Sequence, residues 1–300
     1  PFVPRRFKRG ERVEVYIGLD GGSTSTKAVL LDAGRNVLAK AYDLCSGNPI
    51  DDTKRVFAQL CAPIEAAGAR LVVRGLGVTG YAKDALKPIL GADTAIVETV
   101  AHAASAMHFY HDVDVICDVG GQDIKIMILR DGKVKDFKLN TQCSAGNGYF
   151  LQSVARDFGI PVEQYADMAF SATRMPEFSY GCAVFLQSDI VNFQRQGWKS
   201  SEIMAGLAAI LPRNIWLYVA QMSNFSNLGR TFVLQGGTQH NLAAVKAQVD
   251  FIRAKKRCAG EEPRIIVHEH CGESGAIGAG VEALRLWRNG KRTEFVGLDG

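Results

Sequence analysis

Asp20-Gly21-Gly22-Ser23-Thr24-Ser25-Thr26-Lys27 and Asp118-Val119-Gly120-Gly121-Gln122-Asp123 are the two stretches on which the fold turns. The first follows the apolar run Val13–Leu19 and leads into Ala28–Leu31. The second follows Val113–Cys117 and leads into Ile124–Leu129. Each reads as a strand, an acidic residue, a glycine tip and a returning strand, and Val37–Tyr42 supplies a third strand after the first hairpin. Glycines and hydroxyl residues let backbone amides approach a polyphosphate closely, and Lys27 offers positive charge. A single Asp-Gly turn explains one such hairpin without any ligand. Two hairpins of one design, each ending in an aspartate, point to nucleotide phosphates.

In a dinucleotide-binding fold the glycines lie between a strand and a helix. Here they lie between two strands, as in sugar kinases and actin-like ATPases. The expected fold is therefore α/β and two-lobed, of the actin/hexokinase/Hsp70 (ribonuclease H-like) ATPase type. Asp51–Ala67 has helical spacing, and Leu71–Val78 is a strand ending in Thr79-Gly80. Beyond Lys138 the pattern is mainly helical, over Gly148–Phe158, Val162–Ser171, Val184–Arg195 and Ser200–Ala220. A strand at Thr231–Leu234 then meets Gly236-Gly237-Thr238, followed by a helix over Asn241–Arg253, a strand at Arg264–His268 and a small-residue helix over Gly275–Trp287. The expected division is a first lobe over residues 11–137 carrying both hairpins, and a second over 138–269. A closing helix within 270–288 is expected to return to the first lobe.

The bulk properties agree with such an enzyme. A chain of 300 residues with 47% hydrophobic composition has enough material for two cores. Thirty-five Lys and Arg stand against 31 Asp and Glu, a formal charge of +4 spread too thinly for nucleic acid. No apolar run reaches the roughly 18 residues of a membrane span. Seven cysteines without regular spacing fit thiols in a reducing compartment, so the expected location is the cytoplasm. The leader before Val13 and the tail Thr293–Gly300, which reads as the start of another strand and turn, suggest a piece of a longer polypeptide.

Asp20 and Asp118 are expected to face one Mg²⁺ through water, because that ion keeps much of its hydration shell and prefers carboxylate oxygen. Either aspartate also works as a turn-former that bonds its own backbone. Asp20, Asp118 and Gln122 form the catalytic set, holding the metal or orienting the attacking water, and the sequence does not divide those roles. Gly21, Gly22, Ser23, Thr24, Lys27, Gly120 and Gly121 are the phosphate candidates. Gly236, Gly237 and Thr238 are suited to adenine and ribose lying against backbone, although Thr238 equally reads as a helix N-cap.

Cys143 in Thr141-Gln142-Cys143-Ser144-Ala145-Gly146-Asn147-Gly148 and Cys182 in Tyr180-Gly181-Cys182-Ala183 each precede a helix. Helix N-termini stabilise thiolates, so both suit sulfur ligation, while a small buried residue is the commoner fate of a free cysteine. A four-iron cluster takes four thiolates, which two cysteines from each subunit of a twofold dimer supply. Cys45, Cys61, Cys117 and Cys258 read as packing residues. His268, His270 and Cys271 suggest either a metal site or a loop entering a helix near Glu273.

These motifs together resemble the BadF/BadG/BcrA/BcrD ATPase family, the activator ATPases of 2-hydroxyacyl-CoA dehydratases and the ATPase subunits of benzoyl-CoA reductases. The resemblance runs from Tyr16 to about Leu286 and includes Gly18–Lys27, Asp118–Asp123, Asn140–Gly146, Gly181–Phe185, Gly236-Gly237 and Gly275–Gly280. It implies a homodimer that binds ATP/ADP with Mg²⁺ and holds one [4Fe-4S] cluster per dimer, with Cys143 and Cys182 as ligands. It further implies transfer of a low-potential electron, received from reduced ferredoxin or flavodoxin, to an iron–sulfur dehydratase or reductase. The leader and tail are similar to long, multidomain members, in which the partner region is allowed on the same polypeptide. A small-molecule kinase of the same fold, such as a sugar or N-acetylglucosamine kinase, and a non-redox nucleotide switch are the competing readings; neither gives Cys143 and Cys182 a role.

Overall fold

The computed structural model describes residues 2–141, 144–258, 260–295 and 297. The chain divides into two compact units, residues 1–111 with 273–300 and residues 112–272. In the first unit, β1 (Arg12–Gly21), β2 (Ser25–Leu31) and β3 (Val37–Leu44) form an antiparallel meander. Helix α1 (Pro49–Ala66) then leads to β4 (Arg70–Thr79), α2 (Lys83–Leu90), the short β5 (Thr94–Ala95) and α3 (Glu98–Phe109). β4 joins β1 in parallel, giving the order β3-β2-β1-β4-β5.

Both faces of this sheet are covered, which is why β1 reads as a nearly continuous apolar run. Val13, Val15, Ile17 and Leu19 alternate onto one face, where they meet Val56, Phe57, Leu60 and Ile64 of α1. The opposite face carries Tyr16 and receives the chain's closing helix, Ser274–Arg288. Contact there is at backbone distance. A Cβ at Gly18 would overlap the carbonyl oxygen of Ala276, and one at Gly77 would overlap that of Ala279. The small residues Ala276, Gly278, Ala279 and Gly280 thus set how closely helix and sheet approach.

The second unit begins with β6 (Val115–Val119), β7 (Ile124–Arg130) and β8 (Lys133–Asn140), again an antiparallel meander. Helices α4 (Gly148–Asp157), α5 (Tyr165–Phe170), α6 (Ala183–Arg195) and α7 (Ser200–Arg213) follow, and α7 continues into a π-helical turn over Asn214–Val219. β9 (Thr231–Gln235), α8 (Leu242–Arg257) and β10 (Arg264–Val267) complete the unit, and the closing helix of the first unit is α9. The sheet order is β10-β9-β6-β7-β8, with β9 parallel to β6. Read from β8, this is the strand order of the first sheet repeated.

The expected lobe boundary near residue 138 is corrected by this pairing. β6 hydrogen-bonds to β9, more than a hundred residues later, and β7 and β8 follow β6 in the same sheet, so the second hairpin belongs to the second unit, which starts at Asp112. Helices α2 and α3 and the edge strand β8 were not foreseen. α3 buries alanines rather than large apolar residues, and β8 is mostly exposed. The expected strand in the tail lies partly outside the described residues, and Thr293–Phe295 are not in a strand. Among the described residues no helix is long and apolar enough to cross a membrane.

Because the approach of α9 leaves no room for a methyl group, Gly77→Ala is expected to lower stability by about 1–3 kcal/mol. The effect is read as a fall in the urea midpoint at constant slope, and an unchanged midpoint would contradict so close a contact.

Candidate active site

β1 delivers Asp20 to its C-terminal end opposite Lys27 of β2, and Gly21 opposite Thr26. Lys27 Nζ lies 3.5 Å from Asp20 Oδ2, and the aspartate is only 7% exposed. Glycines make the space for its carboxylate. Gly80, at φ +90°, ends β4 beside it, and a Cβ there would sit 2.5 Å from Asp20 Oδ1 and 2.6 Å from the Gly21 carbonyl oxygen. A Cβ on Gly275 would sit 2.8 Å from Asp20 Oδ2 and 3.3 Å from His102 Nε2. Gly275 belongs to the first turn of α9, so the carboxylate stands at the positive end of that helix's dipole. His102 is buried and holds Ser274 Oγ at 3.0 Å through Nδ1. Ser23 is exposed at the tip and Thr24 half-buried. The Cys45 thiol braces the turn from within, donating to the Gly22 carbonyl at 3.1 Å.

The second hairpin repeats this construction. Asp118, buried, stands opposite Lys125, as Asp20 stands opposite Lys27. Gly236, at φ +93°, ends β9 beside it, and a Cβ there would lie 2.5 Å from Asp118 Oδ1 and overlap the Val119 carbonyl. Gly120 closes the tip through its N–H to the Asp123 carbonyl at 2.9 Å, and Asp123 forms an ion pair with Lys125. The Thr238 hydroxyl donates to the Gly120 carbonyl at 3.0 Å, which joins the Gly236-Gly237-Thr238 motif to the tip. Thr238 therefore does not cap the following helix; Asn241 does, accepting from Ala243 N at 3.0 Å. A Cβ at Gly237 would meet nothing within 4 Å, so this exposed backbone is open to a ligand. Gln122 is exposed on the tip.

The structure thus joins Asp118, Gly120, Gly121, Gly236 and Thr238 in one unit and builds Asp20, Gly21, Gly22 and Lys27 into the other. Sequence reasoning missed Lys125, Gly80 and His102. The first was available from the equal Asp-to-Lys separation in the two hairpins, and the second from the matching strand ends Thr79-Gly80 and Gln235-Gly236. A lone histidine in an alanine-rich helix carried no signal.

Of the cluster candidates, Cys143 lies outside the described residues. Cys182 is half-buried at the N-cap of α6, in extended backbone and with no side-chain cap for the helix. Tyr180, Val184 and Phe185 around it are 51%, 68% and 71% exposed. Cys61 and Cys117 are packed inside, and burial pushes their thiols up, that of Cys61 to about 11. Near the chain's other candidate metal group, His268 Nδ1 accepts from the His270 N–H at 2.9 Å, and Cys271 Sγ lies 3.9 Å from His240. Among the described residues no three His, Cys, Asp or Glu side chains gather as metal ligands.

Two α/β units of one strand order, each with a strand-end aspartate set against a left-handed glycine, define an ATPase of the actin-like fold. The family model of the BadF/BadG/BcrA/BcrD ATPase family matches residues 17–283, and the chain belongs to that family. It is 27% identical over 228 residues to the (R)-2-hydroxyglutaryl-CoA dehydratase activating ATPase of Acidaminococcus fermentans, covering 75% of this chain and 83% of that protein. It is also 27% identical to the 2-hydroxyisocaproyl-CoA dehydratase activator of Clostridioides difficile, covering 89% and 94%. The crystal structure of the Acidaminococcus fermentans component A superposes with a TM-score of 0.77 at 25% identity, over 91% of this chain and 98% of that one. The Clostridium difficile activator with bound ADPNP gives 0.78 at 25% identity, over 92% and 96%. A ROK family glucokinase from Streptomyces griseus, 14% identical with a TM-score of 0.53 over 90% and 99%, shares the fold alone.

The environments of the thiols predict their order of reaction. With its thiol held near 11, Cys61 is thiolate in roughly one molecule in a thousand at pH 8, and Cys117 in fewer. Peptide-resolved alkylation of the cluster-free protein at pH 8 is expected to modify Cys258 and Cys182 first and to leave Cys61 and Cys117 intact until the chain unfolds. Early loss of the Cys117 thiol would show the second core to be open.

Proposed function

We propose that this ATPase is an activator that couples ATP hydrolysis to the transfer of a low-potential electron from a [4Fe-4S] cluster to an iron–sulfur dehydratase or reductase. The relatives named as activators of 2-hydroxyacyl-CoA dehydratases support the partner class. The observation that carries the redox reading is Cys182, a half-exposed thiol at a helix N-terminus surrounded by exposed Tyr180, Val184 and Phe185. An apolar surface of this kind suits burial against a second copy of the chain.

Two cysteines per subunit fit a cluster shared across a homodimer, with Cys182 one ligand and Cys143 the other. When bound, the cluster supplies a one-electron carrier of low potential. The chain's own residues do the rest. Gly21, Gly22, Ser23, Thr24, Gly120 and Gly121 present backbone and hydroxyl groups to phosphates, and Lys27 adds charge. Asp20 and Asp118 hold hydrated Mg²⁺, whose charge offsets that of the phosphates. Gln122, exposed on its tip, orients the attacking water. The open backbone at Gly237, with Gly236 and Thr238, takes the adenosine. Reduced ferredoxin or flavodoxin fits as electron donor, and the cytoplasm is the compartment that keeps such thiols reduced.

The deciding measurement is iron and sulfide per dimer after anaerobic purification, with the visible spectrum, for the wild type, Cys143→Ala and Cys182→Ala. About four irons per dimer in the wild type and loss of the brown colour in both variants are expected. A colourless wild type that hydrolyses ATP even after reconstitution would sink the redox reading and leave a kinase or a nucleotide switch. Asp118→Asn and Asp20→Asn are each expected to lower kcat for ATP hydrolysis by about a hundredfold or more while the cluster is retained. Steady-state phosphate release reads this directly, and near-normal turnover in either variant would remove that aspartate from the active site.

A further inference from the structure

Two buried asparagines in the second unit lie between the phosphate hairpin and Cys182. Asn147 caps α4, its Oδ1 accepting from the Phe150 N–H at 3.3 Å, while its Nδ2 donates to the Gln122 carbonyl on the hairpin tip at 2.8 Å. Two backbone bonds reinforce that junction, Gly148 N–H to the Gly120 carbonyl at 3.0 Å and Tyr149 N–H to the Gly121 carbonyl at 2.8 Å. The tip and the start of α4 are therefore held as one piece by three hydrogen bonds.

Asn214 makes the second junction. It is fully buried where α7 passes into its π-helical turn, an irregularity often found at functional sites. Its Nδ2 donates to the Ala145 carbonyl at 2.8 Å, and its Oδ1 accepts from the Gly181 N–H at 2.8 Å. Ala145 lies two residues after Cys143 in sequence and two before Asn147. Gly181, at φ +150°, immediately precedes Cys182. One side chain thus ties together the two segments that carry the cysteine motifs. The amide does this because it carries one acceptor and one donor on the same planar group. Gly146 is wedged beside the junction, where a Cβ would lie 3.0 Å from Ile124 Cδ1 and 3.3 Å from Ile215 N.

We propose that Asn147 and Asn214 are positioning residues that transmit the state of the phosphate hairpin to Cys182. The inference rests on the reading of Cys182 as a cluster ligand only for its purpose; the link itself is a property of the unliganded thiol loop. The contacts run from Gly120–Gln122 to Asn147, through Ala145 to Asn214, and on to Gly181. A hairpin that closes on a γ-phosphate moves the start of α4, and Asn214 carries that displacement to the residue before Cys182. The hydrogen bonds of both asparagines go to backbone groups.

The test uses the full chain in its cluster-free form, with Mg-ADP or Mg-ADPNP, and reads the iodoacetamide alkylation rate of Cys182 by peptide mass spectrometry. A wild-type ratio between the two nucleotides of about fivefold or more is expected, the lower range of measured couplings. Asn214→Leu keeps the volume and loses both bonds, to Ala145 and from Gly181; Asn147→Thr keeps a helix cap and loses the donor to Gln122. In both, the ratio is expected to fall toward one while the variant still binds ADP and melts cooperatively. A merely structural role would change the rate equally with either nucleotide. Hydrogen exchange on the wild type needs no variant: peptides spanning 120–123, 144–149 and 178–183 are expected to change protection together. Labelling that ignores the nucleotide in the wild type, variants that keep the wild-type ratio, or exchange confined to 120–123 would each overturn the link. Absence of iron from reconstituted wild type would overturn the redox function instead and leave this result standing.

Discussion

Close approach of an aspartate and a neighbouring strand end is the constraint on which the rest of each unit depends. Asp20 and Asp118 are the next-to-last residues of β1 and β6, and Gly80 and Gly236 directly follow the strands parallel to them at φ +90° and +93°. A side chain at either glycine would occupy the place of the carboxylate oxygen. The left-handed backbone turns the chain away at once, so that the carboxylate stays at the mouth of the sheet and nearly buried. Neighbouring bonds hold each glycine in place. Thr79, buried, donates from its hydroxyl to the Ile96 carbonyl at 2.9 Å, and the Gly236 N–H donates to the Cys271 carbonyl at 2.8 Å. Placing an acidic group this way in an α/β sheet gives the end at which ligands of such sheets are bound.

Much of this was legible because the relevant signals are local. A strand, an acidic residue, a glycine tip and a second strand occupy about twenty consecutive positions, and their chemistry depends little on the remainder of the chain. What was not legible is non-local or carried by small residues. The pairing of β6 with β9 joins Val115–Asp118 to Phe232–Gln235, and no periodicity in either segment announces its partner. Assigning the second hairpin to the first lobe followed chain proximity, whereas hydrogen-bonding followed the sheet. α3 was missed because Ala101, Ala103 and Ala106 do the packing there, and β8 because an exposed edge strand needs no apolar alternation.

The closing helix shows the same principle in a form that the sequence did display. The run Ser274–Gly280 is poor in side-chain volume, and the volume is absent because Gly18 and Gly77 bring strand backbone against helix backbone. Interior packing tolerates few voids, so small residues on one element demand small residues on the other. The same turn of α9 also brings Ser274 to His102 and Gly275 to Asp20, and one glycine-rich helix start serves both the core and the aspartate.

The placement of polar side chains in the second unit follows from burial. Asn147 and Asn214 have almost no exposure, so each must satisfy both its oxygen and its amide within the protein or lose the free energy of those bonds. Satisfying both ends fixes two separate pieces of backbone to one rigid plane. An apolar residue at 214 would fill the space but leave the Gly181 N–H and the Ala145 carbonyl without this partner. A buried amide is therefore the residue type that turns a packing position into a connection, and its cost in desolvation is met by bonds that also determine where the Cys182 loop begins.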